Sequence, residues 1–158
     1  QELLATSVEL NVVDGVILPN LKMQGTGEAC AYLDAEGRCS IHLYRPGICR
    51  LFPLGRHYEN GGLFYFLQTG ECAKENRSKV KVSKWIDTPE LKRNEQFKLQ
   101  WHDLLSAMTD RVAGEDEGKQ REENLLLLRL FYLLPYEGTT DFYSQFTERM
   151  EHWNEQIG

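Results

Sequence analysis

The sequence lacks several patterns that define common classes of protein. It has no apolar run of about eighteen residues, so no membrane-spanning helix is expected. It has no G-x-G-x-x-G loop, the commonest dinucleotide-binding signature. It also has no Cys-x-x-Cys pair, so the standard zinc-finger spacings are absent. The net charge of −6 argues against broad binding to phosphate backbones, and we expect neither a nucleic-acid nor a membrane partner.

The N-terminal residues bear on the cellular setting. The chain opens with Gln1 rather than Met, and "QELLATSVEL" is acidic and amphipathic. This stretch does not match a secretory signal peptide. We therefore expect a cytoplasmic protein whose true N-terminus lies upstream of Gln1. The sequence leaves the protein partner and the oligomeric state open.

Turn signals divide the first half of the chain into short strands. A turn dipeptide or tripeptide between two apolar runs is typical of a β-hairpin. Three such signals occur, namely Asp14-Gly15, Glu36-Gly37 and Asn60-Gly61-Gly62. The cysteines lie on or beside these turns, so the three hairpins are expected to bring the sulfurs together.

The second half shows helical periodicity. A polar and basic connector, "ENRSKVKVSKWID", is expected to end in a short helix. Thr88 is the predicted N-cap of a long helix with Pro89 at its first position. The leucine-rich run 125–134 predicts a central buried helix that Pro135 ends, with an oligomer interface as the alternative. A final helix is expected after the Thr140-Asp141 cap.

These patterns predict an α+β fold, with a cysteine-rich region of short β-hairpins followed by a three-helix C-terminal part. Residues 1–74 are expected to form the cysteine-rich metal-binding region. Residues 75–158 are expected to form a helical region packed on it, within one structural unit. The helical part offers no set of residues typical of a catalytic site.

Four cysteines, Cys30, Cys39, Cys49 and Cys72, are the candidates for chemistry. They are separated by eight, nine and twenty-two residues, which matches no standard zinc-finger spacing. Inert buried thiols, disulfides, a metal site and a nucleophile all remain open on spacing alone. A reducing compartment argues against disulfides.

Positive charge accompanies the cysteines. Four of the six basic residues among the first 74 stand within a few positions of a cysteine, and they are Arg38, Arg45, Arg50 and Arg56. A thiolate-ligated zinc or iron–sulfur centre is anionic, and nearby cations lower the cost of burying it. Cations also lower the pKa of a thiol and so favour the thiolate that metals require. Surface salt bridges are the alternative explanation for the arginines.

One segment carries a resemblance to a known family. "CAYLDAEGRCSIHLYRPGICRLFPLG" resembles the later half of the YkgJ-type cysteine-cluster family, also described as the CxxCxxCC zinc- or iron-chelating domain. In that family a "CPFL…GRCSIY..RP..CR.FP" segment follows a run of closely spaced cysteines, which is absent here. The matching positions, over about residues 10 to 86, are Cys30, Cys39, Arg45, Pro46, Cys49, Arg50, Phe52 and Pro53, with Cys72 as the next family cysteine. His42 stands where many relatives have Tyr, which indicates packing or support of the ligands rather than ligation.

The resemblance implies a metal-binding protein. Its expected ligands are the thiolates of Cys30, Cys39, Cys49 and Cys72, with Arg45 and Arg50 supporting the site. An iron–sulfur cluster and zinc both suit thiolate ligands, and the site's role is either redox or structural. Similar clusters occur in flagellin lysine N-methylases, so a protein-modifying enzyme is one alternative. A zinc-stabilised protein-interaction module is another.

Overall fold

A computed structural model of the chain describes residues 6–26, 29–71 and 78–157. It confirms the predicted α+β class, because short antiparallel hairpins precede a mainly helical C-terminal part. The chain divides into two units, Gln1–Ala31 with Asp103–Gly158, and Tyr32–His102. The boundary predicted at residues 74–75 lies outside the described residues.

The described strands form three two-stranded antiparallel sheets, and the helices follow or interrupt them. The strands are β1 Val8–Val13, β2 Val16–Leu21, β3 Met23–Gln24, β4 Ala29–Cys30, β5 Leu54–Glu59 and β6 Gly62–Leu67. The α-helices are α1 Gly47–Leu51, α2 Val82–Ile86, α3 Leu91–Val112, α4 Glu117–Leu128 and α5 Phe142–Ile157. A 3₁₀ turn spans His42–Tyr44, and a π-helical segment, Arg129–Leu133, continues α4. No helix in the described ranges is both long and apolar enough to cross a bilayer.

The first unit joins the β1–β2 hairpin to the C-terminal helices. The hairpin turns at Asp14-Gly15 as predicted, and both residues have the positive φ that such a turn requires. Its one buried strand residue, Val16, joins a core that includes side chains of three helices. The buried apolar side chains of this unit are Val16, Leu104, Met108, Val112, Leu127, Leu128, Phe131, Phe146 and Trp153.

The leucine run is buried on one side rather than all round. Leu127 and Leu128 belong to the core, whereas Leu125 and Leu133 are half exposed. The run therefore contributes one face to the core, as expected of a central helix, and exposes the other face. Its end is fixed by Arg149, a buried residue whose guanidinium donates hydrogen bonds to the carbonyls of Leu130, Leu134 and Pro135 at 2.8–2.9 Å. These bonds satisfy carbonyls that a helix end leaves without partners.

The second unit contains the β5–β6 hairpin and the short helices α1 and α2. The hairpin turns at Asn60-Gly61, again as predicted. The Glu36-Gly37 signal produces a turn closed by a single bridge between Leu33 and Cys39, and no pair of strands forms there. The short helix expected at the end of the basic connector is α2.

The predicted start of the long helix was wrong. Helix α3 begins at Leu91, and Glu90 before it has a left-handed φ of 49°. The Thr88 hydroxyl donates to the Ile86 carbonyl at 3.4 Å and so serves the end of α2 rather than the start of α3. The Thr88 hydroxyl can bond either at the end of α2 or at the start of α3, and in the fold it bonds at the end of α2.

We predict that Asn124→Ala destabilises the first unit. Asn124 is buried, its Oδ1 accepts from the Ile17 N–H at 2.6 Å, and its Nδ2 donates to the Gly15 carbonyl at 3.0 Å. Loss of the amide leaves two backbone groups without their partner, which costs about 2–3 kcal/mol of unfolding free energy. Urea denaturation measures this change.

The control for this substitution is Arg121→Ala, at an exposed position on the same helix. It should change the unfolding free energy by less than about 0.5 kcal/mol. Equal effects of the two substitutions would show that the Asn124 bonds do not hold the hairpin to α4.

Candidate functional site

Cys39 is placed by a loop that its neighbours close tightly. Asp34 Oδ1 accepts hydrogen bonds from the backbone N–H groups of Glu36 and Arg38 at 3.1 and 2.8 Å. Gly37 takes a φ of +74° within this loop, which suits glycine. The half-buried Cys39 then pairs with Leu33 across the loop and carries a free thiol. Its position is therefore set by backbone geometry.

Cys49 lies on α1, a helix that Arg50 ties to two neighbouring segments. The Cys49 N–H donates to the Pro46 carbonyl at 3.0 Å, so the sulfur is carried on the first turn after the proline. The Arg50 guanidinium donates to the carbonyls of Leu43, at 2.9 Å, and Asp87, at 3.0 Å. Its Nε donates to the Arg45 carbonyl at 3.4 Å. Arg50 thus links the 3₁₀ turn, α1 and the end of α2.

Arg45 has one donor without a partner among the described residues. Its Nη1 lies 3.1 Å from His42 Nδ1, so the guanidinium and the imidazole are in contact. Its Nε is buried and has no hydrogen-bond partner within the part of the chain that the structure describes. A buried donor without an acceptor is costly, and an anionic group is the partner that satisfies it best.

Positive charge predominates in the segment around Cys39 and Cys49. Residues 37–58 contain four arginines and two histidines but no carboxylate. Arg38 is paired with Asp34 and Glu36 from the preceding turn, at 3.3 and 3.1 Å. Arg50 donates to neutral carbonyls, so its charge is not cancelled by those bonds. A thiolate on Cys49 therefore has cationic residues on both sides of it in the chain.

Cys30 and Cys72 are the other two predicted ligands. Cys30 is half buried at the end of β4 in the first unit, where it pairs with Met23, and it carries a free thiol. Cys72 lies outside the described residues. Within the ranges that the structure describes, no group of three or more His, Cys, Asp or Glu side chains is placed to hold a metal ion. The described residues do not by themselves fit a zinc ion or a cluster, and the ligand set stays a prediction.

A second polar cluster was not anticipated from the sequence. Tyr65 on β6 donates to Glu95 Oε1 at 3.5 Å and accepts from Lys98 Nζ at 3.5 Å. Burial, and then Glu95, raises the pKa of Tyr65 to about 12. Burial, and then Arg56, lowers the pKa of Lys98. The three-residue spacing of Glu95 and Lys98 places both on one helix face, but no local signal relates either of them to Tyr65.

Comparison of the chain with protein-family models, with curated proteins and with solved structures gives no match. The resemblance to the YkgJ-type family therefore stays a prediction from the quoted segment.

We predict that Arg50→Lys loosens α1 although it keeps the charge. An ammonium group cannot reach three carbonyls that a planar guanidinium serves together. Amide hydrogen exchange of Phe52, whose N–H donates to the Ile48 carbonyl at 3.4 Å, should become about tenfold faster or more. Exchange followed by NMR or mass spectrometry measures this effect.

Arg38→Lys is the matched control, because Arg38 makes surface ion pairs only with Asp34 and Glu36 in the described structure. Exposed ion pairs contribute little, so exchange in α1 should not change. If amide exchange in α1 is equally slow in both lysine variants, the hydrogen bonds from Arg50 to the carbonyls do not hold α1 in place.

We predict that Tyr65 makes stability depend on pH above 10. Its pKa rises from 10.0 in the unfolded chain to about 12 in the fold, so the folded state retains the proton longer. This contribution is fully present below pH 10 and is lost as the pH rises toward 12. Urea unfolding below and above pH 10 measures this effect. The unfolding free energy should fall less with rising pH in Tyr65→Phe than in the parent chain.

Tyr44→Phe, at a ring that is 85% exposed, serves as the control and should leave the pH dependence of the parent chain unchanged. A pH dependence in Tyr65→Phe equal to that of the parent chain would contradict the assignment.

Proposed function

We propose that this chain is a metal-binding protein that holds zinc or an iron–sulfur cluster through cysteine thiolates, with a structural or redox role. The ligands proposed are Cys39 and Cys49 of the second unit, together with Cys30 and Cys72. Arg45 and Arg50 are proposed to support the anionic centre.

The small core of the second unit is the observation that carries this proposal. Among its described residues, the buried apolar side chains are Leu51 and Ile86, whereas the first unit has nine. A unit of this size normally needs a disulfide, a metal ion or a partner to compensate for a small core. Metal binding contributes directly to folding free energy, because the site does not exist in the unfolded chain.

The charge of the cysteine segment supports the same proposal. Two thiols lie in a stretch with four arginines and no carboxylate. The buried Arg45 Nε lacks an acceptor in this stretch, and an anionic sulfur centre would supply one. A neutral thiol that binds no metal is not stabilised by such cationic surroundings.

Zinc and a cluster differ in what they would contribute. Four thiolates close the coordination of zinc, so a zinc site would be structural. A cluster held by the same thiolates would give the protein a reduction potential, tuned by nearby charge and hydrogen bonds. Ligand softness does not separate them, but colour does, since zinc is colourless.

We predict that the chain, purified without oxygen, contains zinc or contains iron with acid-labile sulfide. Elemental analysis and a visible absorbance spectrum distinguish the two. Cys39→Ser and Cys49→Ser should each lower the bound metal by about tenfold or more, because each removes a ligand. Arg45→Gln should weaken metal affinity by about tenfold while the thiols remain.

Ser106→Ala, at an exposed position on α3, is the control and should keep the full metal content. The absence of metal from the parent chain after reconstitution with zinc, and separately with iron and sulfide, would refute the proposal. Unchanged metal content in both cysteine variants would refute the ligand assignment alone.

A protein-interaction module is the second candidate, and a specific observation favours it. Large apolar side chains of the second unit are exposed around α1 and α2, among them Leu43 at 77% and Ile48 at 59%. Exposed apolar surface of this kind marks interaction sites. A protein-modifying activity like that of the flagellin lysine N-methylases rests on the family resemblance alone.

A further inference from the structure

We propose that the second unit binds an acidic segment of a partner protein that carries bulky apolar side chains. This inference deepens the second candidate function and does not depend on a bound metal. The surface proposed, here called the basic apolar surface, consists of Leu43, Ile48, Phe52, Trp85, Lys81 and Lys84.

The backbone under this surface is fixed by hydrogen bonds between its segments. Trp85 Nε1 donates to the Phe52 carbonyl at 3.1 Å, which joins α2 to the end of α1. Arg50 joins the Leu43 and Asp87 carbonyls to the same helix. The apolar side chains are therefore presented by a fixed framework, which lowers the entropy cost of binding.

The apolar part of the surface is exposed in the described fold. Phe52 is 50% exposed and Trp85 is 45% exposed, although their polar groups are bonded to each other. A groove of about 180 Å³ opens beside them, lined by Ile48, Cys49, Phe52, Leu54 and Gln68. A groove of this kind accepts an apolar anchor from a partner, which is how most interfaces gain their affinity.

The charge of the segments that build this surface indicates the kind of partner. Residues 37–58 carry four arginines and no carboxylate, and residues 78–87 carry three lysines and one carboxylate, Asp87. Lys84 is exposed on α2 next to Trp85, and Lys81 is exposed at the N-cap of the same helix. The chain as a whole has a net charge of −6, so this part opposes the sign of the rest. Complementary charge steers and orients a partner, and here it requires an acidic one.

A peptide segment suits the surface better than nucleic acid or a lipid bilayer. Nucleic acid and anionic lipids present extended negative charge, which a chain with net charge −6 repels as a whole. The groove is apolar, and the segments 37–58 and 78–87 that build this surface are rich in cations. A short segment with apolar anchors and acidic flanks satisfies both features at once.

The test is a binding titration with synthetic peptides on the whole chain. The probe is a fluorescein-labelled peptide that alternates Leu and Phe with Asp and Glu. Two matched peptides replace either its acidic residues by Lys or its apolar residues by Ala. Fluorescence anisotropy should show binding of the probe that weakens with salt, and weaker binding by about tenfold or more for either matched peptide.

Variants of the chain locate the binding. Lys81→Glu/Lys84→Glu should weaken probe binding by about tenfold, and Ile48→Ser by about fivefold. The controls are Lys22→Glu/Arg121→Glu, which reverses two exposed charges in the first unit, and Leu10→Ser, at a residue with the same 59% exposure as Ile48. Circular dichroism confirms that each variant folds.

Each result of the peptide titration either supports the proposed surface or overturns it. Loss of binding in the surface variants with retention in the controls supports the proposal. Absence of probe binding, equal binding by the lysine-containing peptide, or equal loss in the controls overturns it. Tighter binding to a single-stranded oligonucleotide or to vesicles of phosphatidylserine also overturns it, because the surface would then serve a different class of partner. None of these results bears on metal content, so the metal proposal succeeds or fails separately.

Discussion

The placement of Cys49 depends on the way in which Arg50 satisfies three backbone carbonyls. Helix α1 has five residues and too few internal hydrogen bonds to be stable alone. Arg50 compensates by joining it to the 3₁₀ turn before it and to the end of α2, which lies 37 positions away from Arg50 in the chain. One guanidinium thus fixes the segment that carries the thiol, the cations and the exposed apolar side chains.

The second unit combines a small apolar core with an exposed surface that is both apolar and basic. It has few buried apolar side chains, and it exposes bulky ones next to arginines and lysines. Conformational entropy opposes the ordering of such a unit, and hydrophobic burial offsets little of that cost here. A metal held by thiolates and an apolar partner supply stabilisation in different ways. The two proposals are therefore compatible, and neither requires the other.

Local signals in the sequence predicted local structure well. Asp14-Gly15 and Asn60-Gly61 fixed two hairpins, and the Asp141 cap was predicted correctly, since its side chain accepts from the Ser144 N–H at 2.8 Å. These features depend on residues within a few positions of one another. The same approach failed at Thr88, where two helices competed for one hydroxyl.

Interactions between distant parts of the chain were beyond prediction. Asn124 reads as an ordinary helix residue, and nothing local indicates that it bonds to Ile17, 107 positions away. Within the candidate site, the sequence identified the thiols and arginines. It did not indicate that Arg50 is committed to carbonyls or that Tyr65 meets Lys98. Whether the four cysteines act together remains a prediction for the same reason.

The division of the chain has a consequence for the order of folding. The first unit is built from both ends of the chain, whereas the second is one continuous stretch, Tyr32–His102. During synthesis the β1–β2 hairpin leaves the ribosome long before α4, which supplies Asn124 and much of the core beneath it. The contact between Ile17 and Asn124 closes a loop of 107 positions, which is longer than any loop within the second unit. Its closure therefore costs more conformational entropy. Val16 therefore reaches its buried position only after α4 has been synthesised.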